Sequence, residues 1–149
     1  MIDETLTFEG YFLEDHDDRI PEKKGVYCAY ACSRNAKKEW VGTDVVYFGK
    51  AEEGDSTIRA RVIAHKADND GARRTLKDGE KLIYSYAETD NSDACEKALV
   101  EAHSALPRLA NDRLTHGYKG PEIRLQIKGK AAMLHKSIYF SANEDEGNA

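Results

Sequence analysis

Six residues stand out in this chain for the chemistry their side chains could do together: Tyr27, Tyr47, Arg61, His65, Glu101 and Asn111. Phenol hydroxyls both donate and accept hydrogen bonds. Arg61 keeps its charge and offers a planar fork matched to phosphate oxygens. His65 follows it by four residues, one helical turn on, and can donate to a phosphate or move a proton near neutral pH. Glu101 supplies hard carboxylate oxygens, the kind Mg²⁺ takes one or two at a time beside water and substrate phosphate. Each residue also has a plainer use. A sheet tyrosine usually packs, an arginine and histidine on a helix usually face water, and a loop asparagine usually makes a turn.

Positioning these groups requires a hairpin and two helices. Residues 25–32 and 45–50 are short runs of apolar, β-branched and aromatic side chains joined by a polar link, which reads as a hairpin. Side chains alternate along a strand, so Tyr27, Ala29 and Ala31 share one face, opposite Val26, Cys28, Tyr30 and Cys32. The same rule groups Val45, Tyr47 and Gly49, opposite Val46, Phe48 and Lys50. With both tyrosines on one side, their hydroxyls converge over a floor of alanine and glycine that leaves room for a ligand.

Ser56 caps a helix expected over residues 57–67, with Ile58, Val62 and Ile63 as its apolar side. Arg59 is an alternative cation to Arg61, two residues back and on a different side. Arg73, Arg74 and Lys77 make a small basic group suited to phosphates or simply to water. Residues 81–87 read as a third strand. Ser92 or Asp93 caps a second helix that runs to about Leu106 and stops before Pro107. Glu101 shares a row with Ala94, Ala98 and Ala105, which leaves space above its carboxylate. An ion pair with Lys97 is the competing use of Glu101, and Glu96 is expected to face solvent.

The order of these features resembles the GIY-YIG nuclease family. The likeness rests on Gly25-Val26-Tyr27, then Tyr47-Phe48-Gly49-Lys50-Ala51, then Arg61 and His65, then Ala98-Leu99-Val100-Glu101-Ala102, and finally Pro107 and Asn111. It spans roughly residues 21–112, with a longer hairpin link and a slightly long loop between Gly49 and Arg61 as departures. The resemblance implies an α/β (α+β) fold: a small three-stranded antiparallel sheet flanked by helices, with extra N- and C-terminal elements. It also implies metal-dependent hydrolysis of DNA phosphodiesters, with RNA left open.

Carried onto matching positions, Glu101 would hold one Mg²⁺ or Mn²⁺ ion. Tyr27 would act as general base or proton relay, because cations nearby lower a phenol's pKa. Tyr47 would position the water or the phosphate, Arg61 would stabilise charge on the phosphoryl oxygens, and His65 would assist. Gly49 and Lys50, with Arg59, Arg73 and Arg74, would contact the substrate, and Asn111 would orient the neighbourhood. Two other classes stay open: a catalytically weak nucleic-acid-binding module, and a regulatory subunit that meets a protein through acidic segments.

At 149 residues, with apolar content of 40% and charged content of 33%, the chain reads as one globular domain. Its expected parts are an acidic leader with a short strand (1–20), the catalytic domain (21–115), a basic extension packed on it (116–142) and an acidic disordered tail (143–149). A leader of that charge could mimic nucleic acid over a basic cleft. The extension is expected to hold an exposed-edge strand at 122–128. No apolar run is long enough to span a membrane, and the N-terminus lacks a signal-peptide pattern. Three cysteines without metal spacing fit reduced thiols in a cytoplasmic protein.

The net charge of −5 argues against a nucleic-acid partner, but its distribution is lopsided. Residues 1–22 carry eight acids against Arg19, a balance of −7, whereas residues 102–141 carry seven bases against two acids, a balance of +5. A basic face on an acidic chain is therefore allowed. No recognition module is visible, so specificity would come from the substrate's structure, the chain's own insertions, a protein partner or a homodimer.

Overall fold

A computed structural model describes residues 1–13, 19–52, 57–67, 73, 75–111 and 117–142, with the main chain alone at 42–43 and 64–67. The elements are β1 (Ile2–Leu13), β2 (Gly25–Arg34), β3 (Trp40–Ala51), α1 (Ile58–Ala67), β4 (Lys81–Glu88), α2 (Ser92–Ala102), β5 (Ile123–Gly129) and β6 (Ser137–Phe140). The chain is α+β. Its sheet is six-stranded and mixed, in the order β3-β2-β4-β1-β5-β6, which corrects the expectation of three strands. The antiparallel trio β3-β2-β4 is present, but β1 adds to β4 antiparallel and β5 adds to β1 in parallel. The physical reason is alternation: Leu6 and Phe8 of β1, and Ile123, Leu125 and Ile127 of β5, each offer an apolar face that extends the core under α2.

This placement also changes the reading of the leader. β1 is an interior strand, and Glu4 accepts hydrogen bonds from the Thr89 hydroxyl at 2.7 and 2.9 Å and from the Asn91 side chain. Residues 2–13 thus fasten the turn that leads into α2 and are not a detachable cover; the acids at 14–18 lie outside the described residues. The strand expected at an exposed edge, β5, lies between β1 and β6, and the four-residue β6 takes the edge.

The sheet separates two cores. On one face Val26, Cys28, Tyr30, Cys32 and Phe48 pack with Ala94, Cys95, Ala98, Leu99 and Val100 of α2. On the other, Tyr27, Ala29, Ala31 and Val46 pack with Ile20, Tyr84 and the α1 residues Ile58 and Val62. Fully burying each of those last two aliphatic side chains stabilises the domain by about 1.5–3 kcal/mol. Ile63 does not join them and is 45% exposed, because it turns about 100° past Val62 around the helix.

The two faces of β2 follow simple alternation, but β3 departs from it. Ala29 is opposite Tyr47 while Tyr30 is opposite Val45, so the register slips by one residue at Val46. This β-bulge sends Val45 to the α2 face and Val46 to the face of Tyr27, the reverse of the expectation. Downstream of it, Tyr47 and Gly49 stay on the side of Tyr27. All three cysteines are free and buried, and burial pushes the thiols of Cys32 and Cys95 up to about 11 and about 12. No helix among the described residues is long and apolar enough to cross a membrane.

Candidate active site

Glycine 49 is where the sequence leaves least freedom. Tyr27 and Gly49 are cross-strand partners, and a Cβ added at Gly49 would fall 2.1 Å from Cζ of Tyr27. Only glycine lets the phenol ring lie across β3 at this point. Gly25 is fixed for a similar reason, since its Cβ would meet the Ala87 carbonyl oxygen at 2.2 Å. Tyr47, diagonal to Tyr27, places its ring centroid 6.3 Å away at an interplanar angle of 35°. Tyr27 is fully buried on one side by Tyr84, with centroids 6.1 Å apart, and Tyr47 is half-buried.

β3 is the edge strand, and its open edge is closed by the segment that follows α2. Ala110 N–H donates to the Val46 carbonyl at 2.7 Å. Asn111 then engages both main-chain groups of Phe48: its Oδ1 accepts from the amide at 2.8 Å and its Nδ2 donates to the carbonyl at 2.7 Å. The side chain of Asn111 therefore acts like one more residue of a ladder, and it holds the strand between Tyr47 and Gly49.

The far end of β3 is tied to the first turn of α2. Lys50 is hydrogen-bonded to Asp93 and pairs with Glu52 at 3.2 Å, while Lys97 donates to Asp93 at 2.9 Å. The Asp93 contact, ahead of its other neighbours, raises the Lys50 pKa, and Lys50 and Lys97 together hold the Asp93 carboxyl below its ordinary value. Lys97 thus pairs with Asp93, not Glu101.

These ties produce one cavity of about 330 Å³ lined by Tyr27, Tyr47, Gly49, Lys50, Glu52, Arg61 and Glu96. Of the residues singled out from the sequence, it gathers Tyr27, Tyr47, Gly49, Lys50 and Arg61. Arg61 is exposed on α1 and has no ion-pair partner among the described residues. Arg59 is turned elsewhere: its Nε donates to the Ile20 carbonyl at 2.6 Å and its Nη1 to Glu22 at 2.7 Å. The main chain of His65 lies on α1 one turn beyond Arg61, and its side chain lies outside the described residues, as does all of Arg74. Arg73 is half-buried and is not among the residues lining the cavity.

The acid in the cavity differs from the one expected. Glu101 is half-buried on α2 and is not among the lining residues, whereas Glu96 is. At roughly 100° per residue, Glu96 and Glu101 flank the buried stripe of α2 on opposite sides. The small residues Ala94 and Ala98, at 8% and 0% exposure, are packed into the core, so they open no space above Glu101. Glu96 stands one turn beyond Asp93, the residue that Lys50 draws to β3, so it reaches the cavity past the sheet edge. The sequence signal for it is the apolar set Ala94, Cys95, Ala98 and Leu99, which leaves Glu96 on a flank. Glu52 was also missed, and it follows the Lys50–Ala51 pair directly.

Two phenols, two carboxylates and two cations converge in this cavity. The carboxylates of Glu96 and Glu52 fit a hard divalent cation that keeps most of its water. Among the described residues there is no group of three or more histidine, cysteine, aspartate or glutamate side chains that could hold a metal, so a dedicated all-protein cage is not what these residues offer. Arg61 faces the same space with a fork suited to a phosphodiester. No family model, curated protein or solved structure matches this chain.

Proposed function

We propose that this chain is a metal-dependent endonuclease that hydrolyses DNA phosphodiester bonds with a single divalent ion, Mg²⁺ or Mn²⁺. The observation that carries the reading is the shared cavity of Tyr27, Tyr47, Lys50, Arg61 and Glu96. The order of residues that resembles the GIY-YIG nucleases supports it from the sequence side.

In this reading Glu96 takes the metal-holding role in place of Glu101, with Glu52 beside it. When bound, the cation would polarise the phosphate and stabilise the leaving oxygen. Arg61 binds a phosphoryl oxygen and stabilises the charge that grows there, a role typically worth 10²–10³-fold in rate. Tyr27 takes or relays the proton of the attacking water, and Tyr47 orients that water or the phosphate. Lys50 keeps Asp93, and with it the first turn of α2, at the cavity. Asn111 serves as a positioning residue through Phe48. His65 retains the assisting role implied by the resemblance.

One feature favours a binding module as the second reading: Glu52 is already paired with Lys50, so less negative charge is left for a cation. Nicking of supercoiled plasmid with Mg²⁺, Mn²⁺ or EDTA separates the two. The nuclease reading expects nicking that EDTA abolishes and that Tyr27→Phe slows by about 10²–10⁴-fold. DNA binding with no nicking under any cation supports the binding module instead.

A further inference from the structure

The cations of this chain fall into two groups. Near the candidate active site and around the helices most are neutralised: Lys23 by Glu88, Lys24 by Asp90, Arg59 by Glu22, Lys97 by Asp93 and Arg108 by Glu80 and Asp44. The C-terminal strands differ. Residues 117–142 hold five exposed bases, Lys119, Arg124, Lys128, Lys130 and Lys136, against the single acid Glu122, a balance of +4. Glu122 accepts a hydrogen bond from the Tyr139 hydroxyl at 2.5 Å, and Arg124 lies over the same ring at 5.6 Å and 3.6 Å from Asp3. The side chains of Lys128, Lys130 and Lys136 have no hydrogen-bond or ion-pair partner among the described residues.

Register places one of these lysines on the face of the sheet that holds the cavity. Cross-strand partners share a face, and Gly49 is opposite Tyr27, Tyr27 opposite Tyr86, and Tyr86 opposite Glu9. One alternation back along β1, Thr7 is opposite Lys128. Lys130 and Lys136 stand at the two ends of the turn that joins β5 to β6. One acid between the two regions, Glu9, lies near Tyr86, whose pKa is pushed up to about 12 by burial first and by Glu9 and Glu88 next. From β3 to β5 is four strand steps, about 19 Å at ~4.8 Å per step. At ~3.4 Å per base pair that is about six base pairs, close to half a turn of duplex.

We propose that the β5–β6 hairpin is a second contact for duplex DNA, in which Lys128, Lys130 and Lys136 take phosphates about half a helical turn from the phosphate held in the cavity. The register of that contact rests on the nuclease reading of the cavity, but the contact itself does not. Its ligand class follows from charge: unneutralised, exposed ammonium groups on one hairpin bind a phosphate backbone by releasing its counterions.

The test is binding in EDTA, where nothing is cut, read by fluorescence anisotropy over a salt series. It compares the native chain with the triple variant Lys128→Gln, Lys130→Gln, Lys136→Gln on a long duplex, of about 20 base pairs. All three side chains are exposed, so thermal unfolding of the variant should match the native chain. On the long duplex the variant is expected to bind at least tenfold more weakly, with a salt slope smaller by nearly three. Unchanged affinity and slope on the long duplex would overturn the proposal, and so would a native chain that binds no duplex DNA or binds only single strands or RNA. A variant that loses binding while the native chain never nicks DNA would keep the hairpin contact and sink the nuclease reading alone.

Discussion

At the β3 end of the sheet, Tyr27 lies across Gly49, Asn111 holds both main-chain groups of Phe48, and Lys50 is shared by Asp93 and Glu52. At the other end, β5 and β6 meet in a plain antiparallel register, and Lys128, Lys130 and Lys136 point at no partner among the described residues. One end spends its polar groups on fixing geometry, and the other leaves its charges free. Fixed groups suit chemistry, where a displacement of about 1 Å can cost 10²-fold in rate. Free cations suit a backbone that need only be held nearby. The difference predicts that the two ends respond to different perturbations.

Removing Arg108 should damage the first end most. Its guanidinium binds Glu80 at 2.6 and 3.0 Å, Asp44 at 2.7 Å and the Thr75 carbonyl at 2.7 Å, tying the segment after α2 to β3 and to the turn before β4. Arg108→Ala is expected to destabilise the chain by about 3 kcal/mol, measured by urea unfolding. The pH profile carries the same signature. Hydrogen bonding to Arg108 holds the Glu80 carboxyl down at about 2, against an ordinary 4.5. That stability is present above 4.5 and is lost as pH falls toward about 2, and the variant should lack this part of the acid transition.

Gly49→Ala tests the contact at the centre of the cavity. The added methyl group overlaps the Tyr27 ring, so a loss of about 2 kcal/mol and of about 10² in cleavage rate are expected. Duplex affinity in EDTA should hardly move, because the hairpin end is untouched. A parallel loss of affinity would show that the ends are not separable.

A smaller effect is expected at the residue that joins the ends. His103 is 2% exposed and its ring lies 5.2 Å from Phe48 and 4.8 Å from His135, which belongs to the β5–β6 turn. Its Nε2 accepts from the His135 amide at 2.9 Å, so Nδ1 carries the proton and donates to the Leu99 carbonyl at 2.7 Å. Burial lowers its pKa from 6.5, with the Leu99 contact opposing and His135 adding to the shift. A lowered value means that the unfolded chain binds the proton first, so stability is full above 6.5 and declines as pH falls below it. His103→Phe should flatten this decline in melting temperature, and an unchanged slope would assign it to another group.

Much of the first end was legible because local rules and residue order point the same way. Gly25, Tyr27, Tyr47 and Gly49 declare a hairpin with one small-residue face, and Arg61 stands on the helix that follows it. The carboxylate was not legible, because choosing between Glu96 and Glu101 needs the rotation of α2, and the Lys50–Asp93 pair that reveals it joins residues 43 positions apart. Val45 and Val46 were reversed for a related reason: a bulge leaves no mark in a run of β-branched residues. The wider sheet was missed because β1 and β5 pair in parallel across almost the whole chain, and their alternation gives faces but not neighbours.

The most direct test of the account is metal-dependent plasmid nicking by Glu96→Gln beside Glu101→Gln, with both proteins shown to be folded by thermal unfolding. Loss of nicking by at least 10²-fold in Glu96→Gln, with Glu101→Gln near native, is the predicted result. Native-like nicking by Glu96→Gln, or loss confined to Glu101→Gln, would contradict the assignment of the cavity as the active site.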